Sequence, residues 1–149
     1  MSEFKVDQID HVEVFVPERY QGAKWYEEHL GIKIIKGYEH WAEHPKGPLM
    51  TSSDGGNTKL AFFNGNPKGE RETAGFHILA FRVSAQGFIT FLNRLERFPV
   101  KDKDGNNVTH NDVRDHGKAY SIYFTDPWGH NLEITTYDYD ELKQLLSNM

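Results

Sequence analysis

Apolar and polar residues alternate at the start of the chain and then change period. In residues 6–16, VDQIDHVEVFV, one face carries Val12, Val14 and Val16 and the other His11, Glu13 and Phe15, the pattern of a half-buried strand that Pro17 ends. RYQGAKWYEEHLG follows with Tyr20, Ala23, Trp25, Tyr26 and Leu30 at helical spacing, and Gly31 is placed to cap the helix. KIIKGYEHWAE and GPLMTSS predict strands, SSDGGN a hairpin turn, and TKLAFF another strand. The order is β-α-β-β-β over residues 6–63.

The order then recurs. NGNPKGERETAG, residues 64–75, is polar and rich in Gly and Pro, and reads as a linker. GFHILAFRV predicts a strand, and Ser84 an N-cap for AQGFITFLNRLERF, whose Phe88, Phe91, Leu92 and Leu95 share a face. A strand is expected around 107–115 after the DGNN turn, and AYSIYFT and HNLEITTY flank the turn DPWG. Asp138 and Glu141 resemble a capping box opening a C-terminal helix over 139–149. The prediction is one α+β domain over 1–149 built from two βαβββ modules, 6–63 and 75–138. Aligning the modules sets His11 against His77, and Leu132-Glu133 against Leu60-Ala61.

Composition narrows the functions. A net charge of −5 with no Lys/Arg cluster argues against nucleic acid as a partner. The absence of Cys removes disulfides, thiolate catalysis and Cys-based zinc sites. MSEFKVDQID lacks an apolar signal region and no apolar run approaches membrane-spanning length, so a cytoplasmic protein without membrane contact is expected. Eight histidines are present, and without Cys the His and carboxylate side chains are the candidate metal ligands. His29, His40, His44 and His110 read as surface residues, as does Arg82, and His130 as structural.

Alternation turns His11 and Glu133 away from the apolar faces of their strands. Glu133 shares its side with Asn131, Thr135 and Tyr137, while Ser121, Tyr123 and Thr125 share a side of the preceding strand. A strand carboxylate needs compensation for its buried charge, and two imidazoles with one carboxylate suit a divalent metal with open coordination positions.

With IDHVEVFV, GFHILAFRV and DPWGHNLEI at these places, the chain resembles the vicinal-oxygen-chelate superfamily over about residues 6–138. That superfamily includes glyoxalase I, type I extradiol dioxygenases, fosfomycin-resistance transferases and bleomycin-binding proteins. The resemblance implies strongly curved mixed sheets forming a half-barrel metal cavity, with His11, His77 and Glu133 as ligands. It implies Fe(II) or Mn(II), with Zn(II), Ni(II) and Co(II) as alternatives, a small substrate with vicinal oxygens, and a homodimer. Ala61 stands where glyoxalase I-like enzymes resemble one another in carrying a carboxylate, which argues against that activity. HGKAYSIYFTDPWGHNLE is similar to the extradiol ring-cleavage signature and makes His116 and Tyr123 catalytic candidates. Arg114 departs from that signature, which prefers a small or aliphatic residue there.

Three functions follow. The first is a metal-dependent enzyme of extradiol-dioxygenase type. The second is a fosfomycin-type thiol transferase or glyoxalase-like lyase or isomerase. The third is a metal-free protein binding a drug or metabolite.

Overall fold

A computed structural model describes residue 3, residues 8–67 and residues 75–149. Residues 6 and 7 of the expected first strand and residues 68–74 of the expected linker lie outside the described residues. Two compact units divide the chain, Met1–Glu72 and Thr73–Met149.

In the first unit, β1 (His11–Val16) leads into α1 (Arg19–Leu30), β2 (Lys33–Ile34), α2 (Glu39–Ala42), β3 (Leu49–Ser52) and β4 (Lys59–Asn64). The sheet order is β1-β4-β3-β2, with β1 parallel to β4 and the other pairs antiparallel. Val14, Val16, Tyr26 and Phe62 are buried, which places the predicted apolar face of β1 in the core. Gly22 lets α1 approach β1, since a Cβ there would sit 2.9 Å from Val16 Cγ2. Gly31 caps α1 as expected: its φ of 70° is left-handed, and its N–H donates to the Glu27 carbonyl.

The expected strand over 33–43 is corrected to two residues of strand and one short helix. Gly37 turns the chain at φ 102°, and its N–H donates to the Glu39 carboxylate at 2.8 Å. The loop after α2 is fastened by Arg19, whose guanidinium donates to the carbonyls of Ala42 at 3.0 Å, His44 at 3.1 Å and Gly47 at 2.6 Å.

The second unit repeats the plan with β5 (Leu79–Arg82), α3 (Ala85–Asn93), β6 (Arg114–Asp115), β7 (Tyr120–Thr125), β8 (Asn131–Thr136) and α4 (Tyr139–Ser147). The sheet order is β5-β8-β7-β6, with β5 parallel to β8. Ile122, Phe124, Leu132 and Ile134 are buried with Phe88, Phe91 and Leu92 of α3. Ser84 caps α3 by accepting from Gly87 N–H at 3.0 Å.

The strand expected around 107–115 shrinks to Arg114–Asp115, because a capping box of Thr109 and Asp112 folds residues 110–112 into a 3-10 turn. Asp138 precedes α4 without capping it. Its carboxylate instead accepts from Ala85 N–H at the start of α3, at 3.0 Å. The fold is α+β, with two βαβββ modules whose four-stranded mixed sheets are curved. Among the described residues no helix is long and apolar enough to cross a membrane.

Candidate functional site

The turn Asp126–Gly129 sets the second unit's functional strand. The Asp126 carboxylate accepts from the N–H groups of Trp128 and His130, each at 2.9 Å, and Gly129 takes φ 90°. His130 Nδ1 lies 2.5 Å from Asp126 Oδ2, and the His130 ring stacks on Phe76 at 5.6 Å between centroids. His130 is therefore a structural residue, buried at 8% exposure, as its alternation predicts.

Glu133 stands in β8 between buried Leu132 and Ile134 and faces the other way, half-buried. Ser121 of β7 donates to Glu133 Oε2 at 2.8 Å, and its oxygen also lies 3.0 Å from the Thr135 hydroxyl. Glu133 Oε1 has no hydrogen-bond partner, and no cation pairs with the carboxylate among the described residues. Tyr123 is the cross-strand partner of Glu133, so both project from one face. The Tyr123 phenol in turn meets His116 Nε2 at 2.9 Å. The structure brings these two sequence candidates into direct contact.

His77 and Tyr123 line one cavity of about 450 Å3, shared with Ile78, Arg114, Thr125 and Asn131. The register sharpens the repeat alignment here. Ala80 pairs with Glu133 as Glu13 pairs with Ala61, so Ile78 rather than His77 corresponds to His11. His77 lies before β5 at a bend, exposed, where strict alternation no longer governs its direction. Its imidazole makes no hydrogen bond among the described residues; its carbonyl accepts from Asn131 Nδ2 at 3.3 Å.

In the first unit, His11 Nδ1 lies 2.8 Å from Asp10 Oδ2 and Nε2 lies 3.2 Å from Glu13 Oε2. The Asp10 carboxylate, reinforced by Glu13, raises the His11 pKa above its ordinary 6.5. Lys59 completes the group, donating to Asp10 Oδ1 at 3.0 Å. These side chains line a second cavity of about 410 Å3, walled by Tyr38, Trp41 and Met50. The Tyr38–Trp41 wall comes from the start of α2, where the sequence pattern predicts a strand.

Among the described residues, no three His, Asp or Glu side chains gather closely enough to hold a metal ion. Each unit, taken by itself, nevertheless carries donor types that suit a divalent ion. Glu133 offers an oriented carboxylate with a vacant oxygen, His77 an uncommitted imidazole, and His11 an imidazole held at Nδ1 by a carboxylate, as metal-binding histidines commonly are.

Paired βαβββ modules with curved mixed sheets define the class of protein. The chain belongs to the Glyoxalase/Bleomycin resistance protein/Dioxygenase superfamily, whose family model matches residues 8–134. No curated protein sequence matches it. Among solved structures it is similar to Oxidase ChaP-H2, at 24% identity and a TM-score of 0.62 over 91% of this chain and 97% of that one. It is also similar to a mutant of the fosfomycin resistance protein FosX from Listeria monocytogenes complexed with Mn(II) and 1S,2S-dihydroxypropylphosphonic acid. That match has 16% identity and a TM-score of 0.66 over 93% of this chain and 99% of that one. FosX from Mesorhizobium loti matches at 15% identity and a TM-score of 0.60, over 95% of this chain and 98% of that one.

Proposed function

We propose that the protein is a divalent-metal-dependent enzyme acting on a small molecule with two adjacent oxygens, of the ring-cleaving oxygenase kind. The observation that carries this reading is Glu133: a half-buried carboxylate, oriented by Ser121, with one oxygen vacant and the Tyr123–His116 pair beside it. A charge so placed calls for a cation. His11, His77 and Glu133 are the proposed ligands. Held by two imidazoles and a carboxylate, a divalent ion would supply Lewis-acid polarisation to adjacent substrate oxygens.

The chain's own residues do the rest. Tyr123 orients a substrate oxygen through its phenol, and His116, hydrogen-bonded to that phenol, takes or returns a proton. The bend at His77 is what supports its place in the ligand set, since a continued strand would present Ile78 instead. Fe(II) and Mn(II) are the favoured ions.

A second reading is transfer or addition chemistry on a small oxyanion. It is favoured by the match to FosX along 99% of that chain's length. Metal analysis of protein purified without chelators tests both readings, with about one divalent ion per chain expected. Oxygen uptake with a panel of catechols then separates them. Protein that holds no metal and is not activated by added Fe(II), Mn(II), Co(II), Ni(II) or Zn(II) would be a binding protein instead.

A further inference from the structure

β6 contains only Arg114 and Asp115, at the edge of its sheet. The Tyr139 hydroxyl of α4 lies 2.7 and 2.8 Å from the two Asp115 oxygens, which fixes Asp115 on the helical side. Alternation therefore sends Arg114 to the opposite face. There its cross-strand partner is Ser121, whose hydroxyl donates to Glu133, and Arg114 lines the same cavity as His77 and Tyr123.

The guanidinium makes no hydrogen bond, ion pair or ring contact among the described residues. Three other arginines are occupied: Arg19 holds three carbonyls, and Arg94 and Arg97 lie over the Phe98 ring. Acidic residues share the cavity wall, but none pairs with Arg114. Asp102 accepts from the N–H groups of Asp104 and Asn106, each at 2.9 Å, and Asp112 accepts from Thr109 N–H at 2.8 Å.

We infer that Arg114 is the anion receptor of the proposed site. The substrate carries a carboxylate or phosphonate beside its adjacent oxygens, and the planar guanidinium receives that oxyanion through paired N–H donors. The adjacent oxygens rest on the function proposed above; the anionic group rests on Arg114.

Two measurements test the inference separately from the metal. In the first, metal-free full-length protein is titrated with benzoate, methylphosphonate or neutral benzyl alcohol while arginine Nε–Hε resonances are followed. The Arg114 resonance, assigned by its loss in Arg114→Gln, should move saturably with an anion and not with the alcohol. Response to benzoate alone identifies a carboxylate, and response to methylphosphonate alone a phosphonate. A resonance that neither anion moves overturns the proposal.

In the second, Mn(II)-loaded protein is titrated calorimetrically with catechol and 3,4-dihydroxybenzoate. The acid should bind at least about tenfold more tightly, and Arg114→Gln should erase the preference while Arg114→Lys retains part of it. Equal affinities in the wild-type protein overturn the anion receptor but leave oxygen chelation standing. If neither diol binds and benzoate still moves Arg114, chelation falls and the receptor stands.

Discussion

His116 Nε2 and the Tyr123 phenol oxygen lie 2.9 Å apart, joining the loop after β6 to the middle of β7. If they act as one proton-handling unit, Tyr123→Phe and His116→Ala should each lower kcat by about 10²–10⁴ with metal content unchanged. The double variant should be little worse than either single one. Steady-state kinetics decide this: losses that multiply would show two independent residues.

Glu133→Gln keeps the shape and the acceptor for Ser121 while removing the charge. Metal affinity should fall at least about tenfold. The metal-free variant should be more stable than the wild type by about 0.5–1 kcal/mol, because an unpaired, partly desolvated carboxylate is gone. Metal titration and urea unfolding of apo protein read these opposite signs. Unchanged metal affinity would remove Glu133 from the ligand set.

Asp126 is 3% exposed and satisfies two backbone N–H groups and the His130 ring. Asp126→Ala strands all three and should cost about 2–4 kcal/mol in urea unfolding. A loss below about 0.5 kcal/mol would mean the turn holds without its carboxylate.

Asp138→Ala should cost about 1 kcal/mol, since it frees Ala85 N–H at the start of α3. The effect should appear as faster hydrogen exchange at Ala85 in α3, not as a weakening confined to α4.

The Asp115–Tyr139 contact predicts a pH window. The Tyr139 hydroxyl, and next the Gly117 N–H, hold Asp115 below its ordinary 3.8, so that contribution is present above pH 3.8 and is lost as pH falls through the folded value. Asp115 raises Tyr139 above its ordinary 10.0, so its contribution is present below pH 10.0 and is lost as pH rises through the folded value. Stability differences between wild type and Tyr139→Phe should therefore be greatest between these pH values and shrink at both ends. A difference that is flat across the range would show that the contact is packing alone.

Much of the architecture was legible in local chemistry. The apolar faces of β1 and β8, the Gly31 cap and the Ser84 cap each depend on neighbours within a turn or a strand, and each stands where the sequence pattern puts it. Misreadings arose where partners are distant or turns interrupt a pattern. Nothing near Asp138 reveals that its carboxylate serves Ala85, 53 residues away. Tyr38 and Trp41 fall in a segment that reads as a strand, but Gly37 and Glu39 turn it into a helix. For the site, alternation set Glu133 and Tyr123 apart from the apolar faces of their strands, and the resemblance to the ring-cleavage signature singled out His116 and Tyr123, whose mutual contact only the structure shows. The one-residue offset between His77 and His11 needed the register, because only strand pairing reveals which residues stand opposite each other.

Arg19 grips the segment after α2 by carbonyls alone, at Ala42, His44 and Gly47. Three of the segment's anchors are thus common to every amino acid. Apart from buried Ala42 and Gly47, where a Cβ would sit 1.9 Å from the Trp41 carbonyl oxygen, its side chains are free to diversify under selection while the path of the chain is kept. The wall of Tyr38 and Trp41 beside it is accordingly where new ligand preferences would be easiest to evolve, and where a library of variants would lose the fewest members to misfolding.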